Sequence, residues 1–235
     1  MKNIFLIIVI FVTICSFPQE SINFDLLTVY SDENGPELQN KRSEMILTNS
    51  NDSLISMCIR RNVNDKKLYG VIKNSRTQTN HFFHLINDTD DILNSKNIVY
   101  QFSVTYKKNI CWSSESCFDI VKLIDNQQFN TKIICYKNKK KKGKVSNTYL
   151  NITNSDLKYY NNFKRGYLHH FDNCQKLNIN FNKVVNLAQF HDYDGKVYEK
   201  IALISNEPVN LNVIILKIKK QSILESREFF DKYFN

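Results

Sequence analysis

Ile98-Val99-Tyr100-Gln101-Phe102-Ser103-Val104-Thr105-Tyr106 is the stretch that decides how this chain is read. Ile98, Tyr100, Phe102 and Val104 recur at a two-residue period, which predicts a strand with those four on one face. The same texture repeats on either side. Ile22–Tyr30 alternates, with Ile22, Phe24 and Leu26 on one face. Leu54–Arg61, Leu68–Lys73, His81–Ile86 and Phe129–Tyr136 are short β-like runs, as are Val145–Ile152, Gly166–Phe171, Lys176–Leu187, Lys196–Ile204 and Val209–Lys219. Ser31–Ser53 is polar and holds Gly35-Pro36, so it reads as a long loop. Many short strands with polar turns predict a mainly β fold, and specifically a two-sheet β-sandwich.

Two helices are expected to interrupt the strands. Over Ser114–Gln127, the residues Cys117, Ile120, Val121 and Ile124 fall on one helical face. Ser222-Ile223-Leu224-Glu225 has the form of a capping box and opens a terminal helix over about 222–233. No internal repeat or flexible linker divides the chain.

The first residues bear on location. Lys2 precedes the apolar run Ile4–Ile14, and Cys15 and Ser16 follow. One charge, a run too short to span a bilayer and a small residue predict a signal peptide over residues 1–16. Residues 17–235 are then expected to form one exported domain. The last residues, Lys232–Asn235, are not a KDEL-type signal, so secreted and ER-lumenal destinations both stay open. Sequons at Asn51, Asn87 and Asn151 agree with export and are candidate glycosylation sites. Without Cys15 five cysteines remain: Cys58, Cys111, Cys117, Cys135 and Cys174. In an oxidising compartment they should pair, and the odd number leaves one thiol over.

Asn, Lys and Ile together supply 83 of the 235 residues, whereas Ala supplies two and Gly five. Such a bias suits an A/T-rich coding sequence and excludes collagen-like and Gly-rich nucleotide-binding chains. The net charge is +9. Lys137, Lys139, Lys140, Lys141, Lys142 and Lys144 concentrate six positive charges in one segment. Such a loop should repel itself and project into solvent, where sulfated glycosaminoglycans, acidic protein faces or anionic lipid are its natural partners. Nucleic acid is not expected, because no aromatic-interleaved RNA motif occurs.

Little else carries chemistry. His81 and His84, three residues apart on a strand, point to opposite faces and do not converge on a metal. Adjacent His169 and His170 on a strand also diverge, so the ligand-type residues of His169–Cys174 are not expected to hold a metal. His191-Asp192-Tyr193-Asp194-Gly195 lacks the remaining oxygen ligands of a calcium loop and reads as a polar turn. No Gly-x-Ser-x-Gly elbow is present. No catalytic residue, metal site or cofactor is expected.

The segment Ile98–Lys144 also has a distinctive order. A strand (Val99–Val104) and a loop with Trp112 lead to an expected helix (Phe118–Ile124), a strand ending in Cys135 and a Lys-rich loop. Downstream, Tyr159-Tyr160 and the Cys174-led run to Phe181 follow. This order resembles the poxvirus immune-evasion domain family, which includes secreted CC-chemokine inhibitors, an MHC class I-retaining protein and ER-localised apoptosis regulators. The resemblance covers about half of the chain. It implies a β-sandwich that binds a host immune protein and catalyses nothing, with Cys135 and Cys174 as a structural disulfide. The acidic segment of the chemokine inhibitors is missing here. The expected function is therefore that of an exported viral immune-evasion protein, nearest the ER-localised apoptosis-regulator branch. Chemokine or cytokine capture and glycosaminoglycan binding are the alternatives. The expected partner is an ER-lumenal protein, an MHC-like molecule or a chemokine.

Overall fold

A computed structural model describes residues 19–35, 38–61, 67–86, 94–105, 117–124, 126–137, 140–141, 143–168 and 182–216. The expected signal peptide, the expected terminal helix over 222–233, Trp112 and His169–Cys174 lie outside the described residues. The strands are β1 (Gln19–Asn34), β2 (Asn40–Asn49), β3 (Asp52–Arg61), β4 (Leu68–Asn74), β5 (Thr79–Leu85), β6 (Ile98–Thr105), β7 (Cys117–Lys122), β8 (Thr131–Tyr136), β9 (Lys144–Asn154), β10 (Lys183–His191) and β11 (Val197–Leu216). The helix α1 (Tyr160–Tyr167) lies between β9 and β10.

The chain is mainly β, as expected, but the strands form one sheet. Eleven strands pair antiparallel in the order β6-β5-β4-β3-β2-β1-β11-β10-β9-β8-β7. The expectation of two packed sheets missed the length of β1 and β11. Their register runs from Gln19↔Leu216 to Asn34↔Glu199 and stitches both halves of the sheet together. Lys196–Ile204 and Val209–Lys219, expected as separate strands, merge into β11. Pro208 sits inside it beside a register shift at Phe24/Leu26, where a bulge tolerates the missing N–H.

Two cores occupy opposite faces. On β2, Ile46 and Leu47 are consecutive and both fully buried, one in each core. The first core gathers Phe24, Leu47, Met57, Ile72, Phe83 and Val213. It is enclosed because the sheet curls until β6 approaches β11. The second core gathers Tyr30, Ile46, Leu150, Val185 and Ile201, and α1 covers it with Tyr160, Phe163 and Tyr167.

Bulges correct two expected faces. Ile22 and Phe24 enter the first core, but Leu26 packs with Tyr159 and Val184 on the helix side. Ile98 and Tyr100 also belong to the first core, while Phe102 and Val104 lie on the opposite face with Phe82. The shift falls between Phe82↔Phe102 and Phe83↔Tyr100. Even alternation in the sequence passes across an extra residue, and the side chains beyond it change sides.

Three further expectations fail. Within Ser114–Gln127, Cys117–Lys122 is a strand paired with β8 from Cys117↔Tyr136 to Lys122↔Thr131. Its apolar residues are not a buried helical face, since Ile124 is 93% exposed. β-branched Ile120 and Val121 suit the ladder better than a helix. Within the expected Ser31–Ser53 loop, β1 continues to Asn34 and β2 fills Asn40–Asn49. Gly166, expected to open a strand, is helical. Tyr160, Phe163 and Tyr167 recur at helical spacing and point at the sheet. A Cβ on Gly166 would lie 2.2 Å from Ile46 Cδ1, so glycine permits the close approach of helix to sheet.

Candidate functional site

Two regions concentrate polar chemistry. The first is a row of charges across β11, β1, β2 and β3 on the helix side. Asp32 stands opposite Arg42, and Glu44 opposite Arg60, so each carboxylate meets a guanidinium across the ladder. Arg42 Nε donates to Asp32 Oδ2 at 2.7 Å, and an Arg60 terminal nitrogen lies 2.7 Å from Glu44 Oε1. Both carboxylate side chains are fully buried. Asn34 Nδ2 donates to the second oxygen of Asp32 at 3.1 Å. Burial alone would lower the Arg60 pKa, but the Glu44 carboxylate outweighs it and holds the guanidinium charged.

Two groups in this row are perturbed. The Cys58 thiol donates to Glu44 Oε1, and burial first, then the Glu44 charge, push its pKa up to about 12. Such a thiol stays protonated and is a poor nucleophile. Glu199 on β11 is raised to about 7, by burial first and then by the charges of Asp32 and Glu44, with Arg42 and Arg60 opposing. Two guanidiniums face three carboxylates, so Glu199 is the acid left over. The row can hold the strands together, and Tyr167 of α1 lies close to it: burial first, and then the Glu44 charge, raise its phenol pKa. It offers no activated nucleophile with a base.

The second region is the end of the sheet at β7, β8 and β9. The β8–β9 turn is compact: Lys137 N–H donates to Gly143 O at 2.8 Å, and Lys141 and Gly143 take left-handed φ of 56° and 69°. Lys137, Lys140 and Lys141 are exposed. Lys141 Nζ reaches Asp119 Oδ1 on β7 at 2.6 Å, which ties the turn to the edge strand. Lys139 and Lys142 lie outside the described residues, and Lys144 begins β9. Among the described residues, β7 is the last strand in the sheet order. Phe118 packs into the helix-side core, while Ile120 and Val121 are 43% and 40% exposed.

The other singled-out residues are dispersed. Asn51 is exposed in the turn between β2 and β3. Asn151 is inside β9, and its Nδ2 donates to Gln128 O at 2.8 Å. Asn87 lies outside the described residues, as does Cys174, so the Cys135–Cys174 pair inferred from the resemblance has only its first member in view. Cys135 is on β8, opposite Phe118. His81 Nδ1 bonds to Ser103 Oγ at 2.7 Å, while His84 lies against the Tyr69 ring. Asp192 Oδ1 accepts from Lys196 N–H at 2.9 Å, so the Asp192–Gly195 segment is the polar turn expected. Sequence reading missed Asp32, Glu44, Arg60 and Glu199. Their alternation with apolar residues, Glu44 before Ile46 above all, was the available signal.

No known protein family matches the chain, and no curated protein matches its sequence. Among solved structures, it is similar to a LolA superfamily protein from Nitrosomonas europaea, at 7% identity and a TM-score of 0.30, over 83% of this chain and 89% of the other. A putative outer membrane lipoprotein-sorting protein domain from Vibrio parahaemolyticus has the same identity and TM-score, over 79% and 85%. A DUF1329 family protein from Desulfovibrio piger reaches a TM-score of 0.20 at 8% identity, over 85% and 89%. At these scores the chain is assigned to none of these families.

Proposed function

We propose that this chain is an exported binding protein that acts without catalysis, and that its partner is a host immune protein. The particular reading is a viral immune-evasion protein of the ER-localised apoptosis-regulator kind. That reading rests on the resemblance in Ile98–Lys144, whose expected helix over Phe118–Ile124 is replaced here by the strand β7. The observation that supports a binding role is the β7 edge, where Ile120 and Val121 are exposed beside the lysine turn. An edge strand presents a row of backbone N–H and C=O groups to which an extended partner segment can add. The two-layered arrangement expected of a sandwich is proposed for the curled half alone, where Ile98 of β6 and Leu211, Val213 and Ile215 of β11 share the first core.

The test is surface plasmon resonance of the purified protein against host lumenal immune proteins, MHC-like molecules and chemokines. Ile120→Lys with Val121→Lys should weaken the best interaction at least tenfold, because charges on both faces of the edge oppose an apolar contact. Binding to none of these partners, or unchanged binding by the variant, would overturn the reading.

A second reading is a glycosaminoglycan-binding protein, supported by the exposure of Lys137, Lys140 and Lys141 on one turn. Replacing these three by Gln should lower the salt needed for elution from heparin. Unchanged elution would remove this reading.

A further inference from the structure

We propose that Asn51 is a glycan-bearing asparagine of the folded protein, and that Asn151 remains unmodified. This rests on the export reading above. Both sequons, Asn-Asp-Ser and Asn-Ile-Thr, satisfy the acceptor pattern. The fold makes them unequal.

Asn51 occupies the tight connection between β2 and β3, where the last paired residues are Asn49 and Asp52. Its backbone N–H is held by Asn49 Oδ1 at 2.8 Å, while the residue itself is exposed. Ser53 of the same sequon is exposed as well. A sugar chain on this turn leaves into solvent and displaces no contact within the sheet.

Asn151 lies within β9, opposite Leu187 of β10 and beside the irregularity at Asn186. Its Nδ2 donates to Gln128 O, and its Oδ1 accepts from Asn186 Nδ2 at 3.2 Å. Thr153, the hydroxyl member of the sequon, also accepts from Asn186 Nδ2, at 3.1 Å. Ile152 between them is buried on the other face. Both functional side chains of this sequon are therefore engaged with β10 or with the β7–β8 connection. A glycan on Asn151 Nδ2 would leave that nitrogen a single N–H and crowd the Gln128 carbonyl and the Asn186 side chain to which Asn151 bonds.

The step itself is a transfer from a polyprenyl-pyrophosphate-linked oligosaccharide. Asn51 Nδ2 forms a bond to the anomeric carbon, the bond from that carbon to the pyrophosphate oxygen breaks, and the amide proton passes to a base of the transferase. Polyprenyl pyrophosphate leaves with the bonding electrons.

The test expresses the full chain in mammalian cells in an Asn87→Gln background. Digestion of the secreted or lumenal product with peptide N-glycosidase in heavy-oxygen water converts each occupied Asn to labelled Asp. Label at Asn51 and none at Asn151 is the expected result. Asn151→Gln should then leave the mobility shift on digestion unchanged, and Asn51→Gln should abolish it. A secreted product bare at Asn51, or labelled at Asn151, overturns this inference alone. A chain that stays in the cytosol with residues 1–16 attached overturns the export reading, and this inference with it.

Discussion

Glu199 sits beside two acids that already have their counter-ions. Its folded pKa of about 7 lies above the ordinary value of 4.5, so the folded state holds a proton that the unfolded chain releases. The resulting stability is complete below about pH 4.5 and declines as pH rises through 7, by an amount on the order of 1–3 kcal/mol. Glu199→Gln removes the ionisable group without changing its shape. Its urea midpoint should exceed that of the parent at pH 8 and vary less with pH between 5 and 8. An identical pH profile for parent and variant would refute the assignment. The same row of charges predicts the chemistry of Cys58. A thiol whose pKa is pushed up to about 12 should resist alkylation at pH 8 until the protein is unfolded, whereas Cys58 in urea should react at the rate of a free thiol. Neither behaviour was legible in the sequence. Glu44 and Arg60 are 16 positions apart and meet only through the β2–β3 register.

At the level of elements, the contact between α1 and β2 is the tightest fit described. Gly166→Ala would drive a methyl group into Ile46 Cδ1 and should cost about 1–3 kcal/mol. Ile46→Val removes that same carbon. The double variant should therefore be more stable than the sum of the two single losses predicts, by denaturant unfolding. Additive losses would mean that α1 does not approach the sheet so closely. Most strands were legible because each half-buried strand writes its period into the chain. β2 was hidden by its polar opening, Asn40-Lys41-Arg42-Ser43, whose side chains are exposed. α1 was hidden by Asn161, Asn162 and Gly166, all poor helix formers, of which Asn162 and Gly166 serve contacts with the sheet. Asn162 is fully buried and donates to Thr28 Oγ1 and Ile46 O, at 2.8 and 3.0 Å. β7 was misread because its apolar spacing fits a helix, and only pairing with β8 decides otherwise. Of the candidate binding surface, the lysines were legible, but the edge beside them was not.

For the whole molecule, the two cores share strands and should melt together. Phe24 belongs to one core and Phe163 to the other, and both are fully buried. Phe24→Ala and Phe163→Ala should each lower stability by about 3–5 kcal/mol and shift a single thermal transition, with far- and near-ultraviolet dichroism coincident. Separate transitions would show that β1 and β11 do not couple the halves. The mainly β class followed from texture repeated along the chain. The single sheet did not, because strand order is a property of distant partners and no local period encodes it.

The seam between β1 and β11 also sets a timetable for synthesis. Asn34 waits for Glu199, and Gln19 for Leu216. At roughly 5–20 residues per second, β1 emerges some tens of seconds before its central partner exists. Until then one long edge of β1 is a bare template, able to capture any passing strand. The nascent chain therefore depends on β2, its other and earlier neighbour, and on whatever chaperones the compartment supplies, to stay out of aggregates. A ribosome-stalled series should gain protease resistance across β1 abruptly, once residue 216 has cleared the exit tunnel, rather than gradually with length.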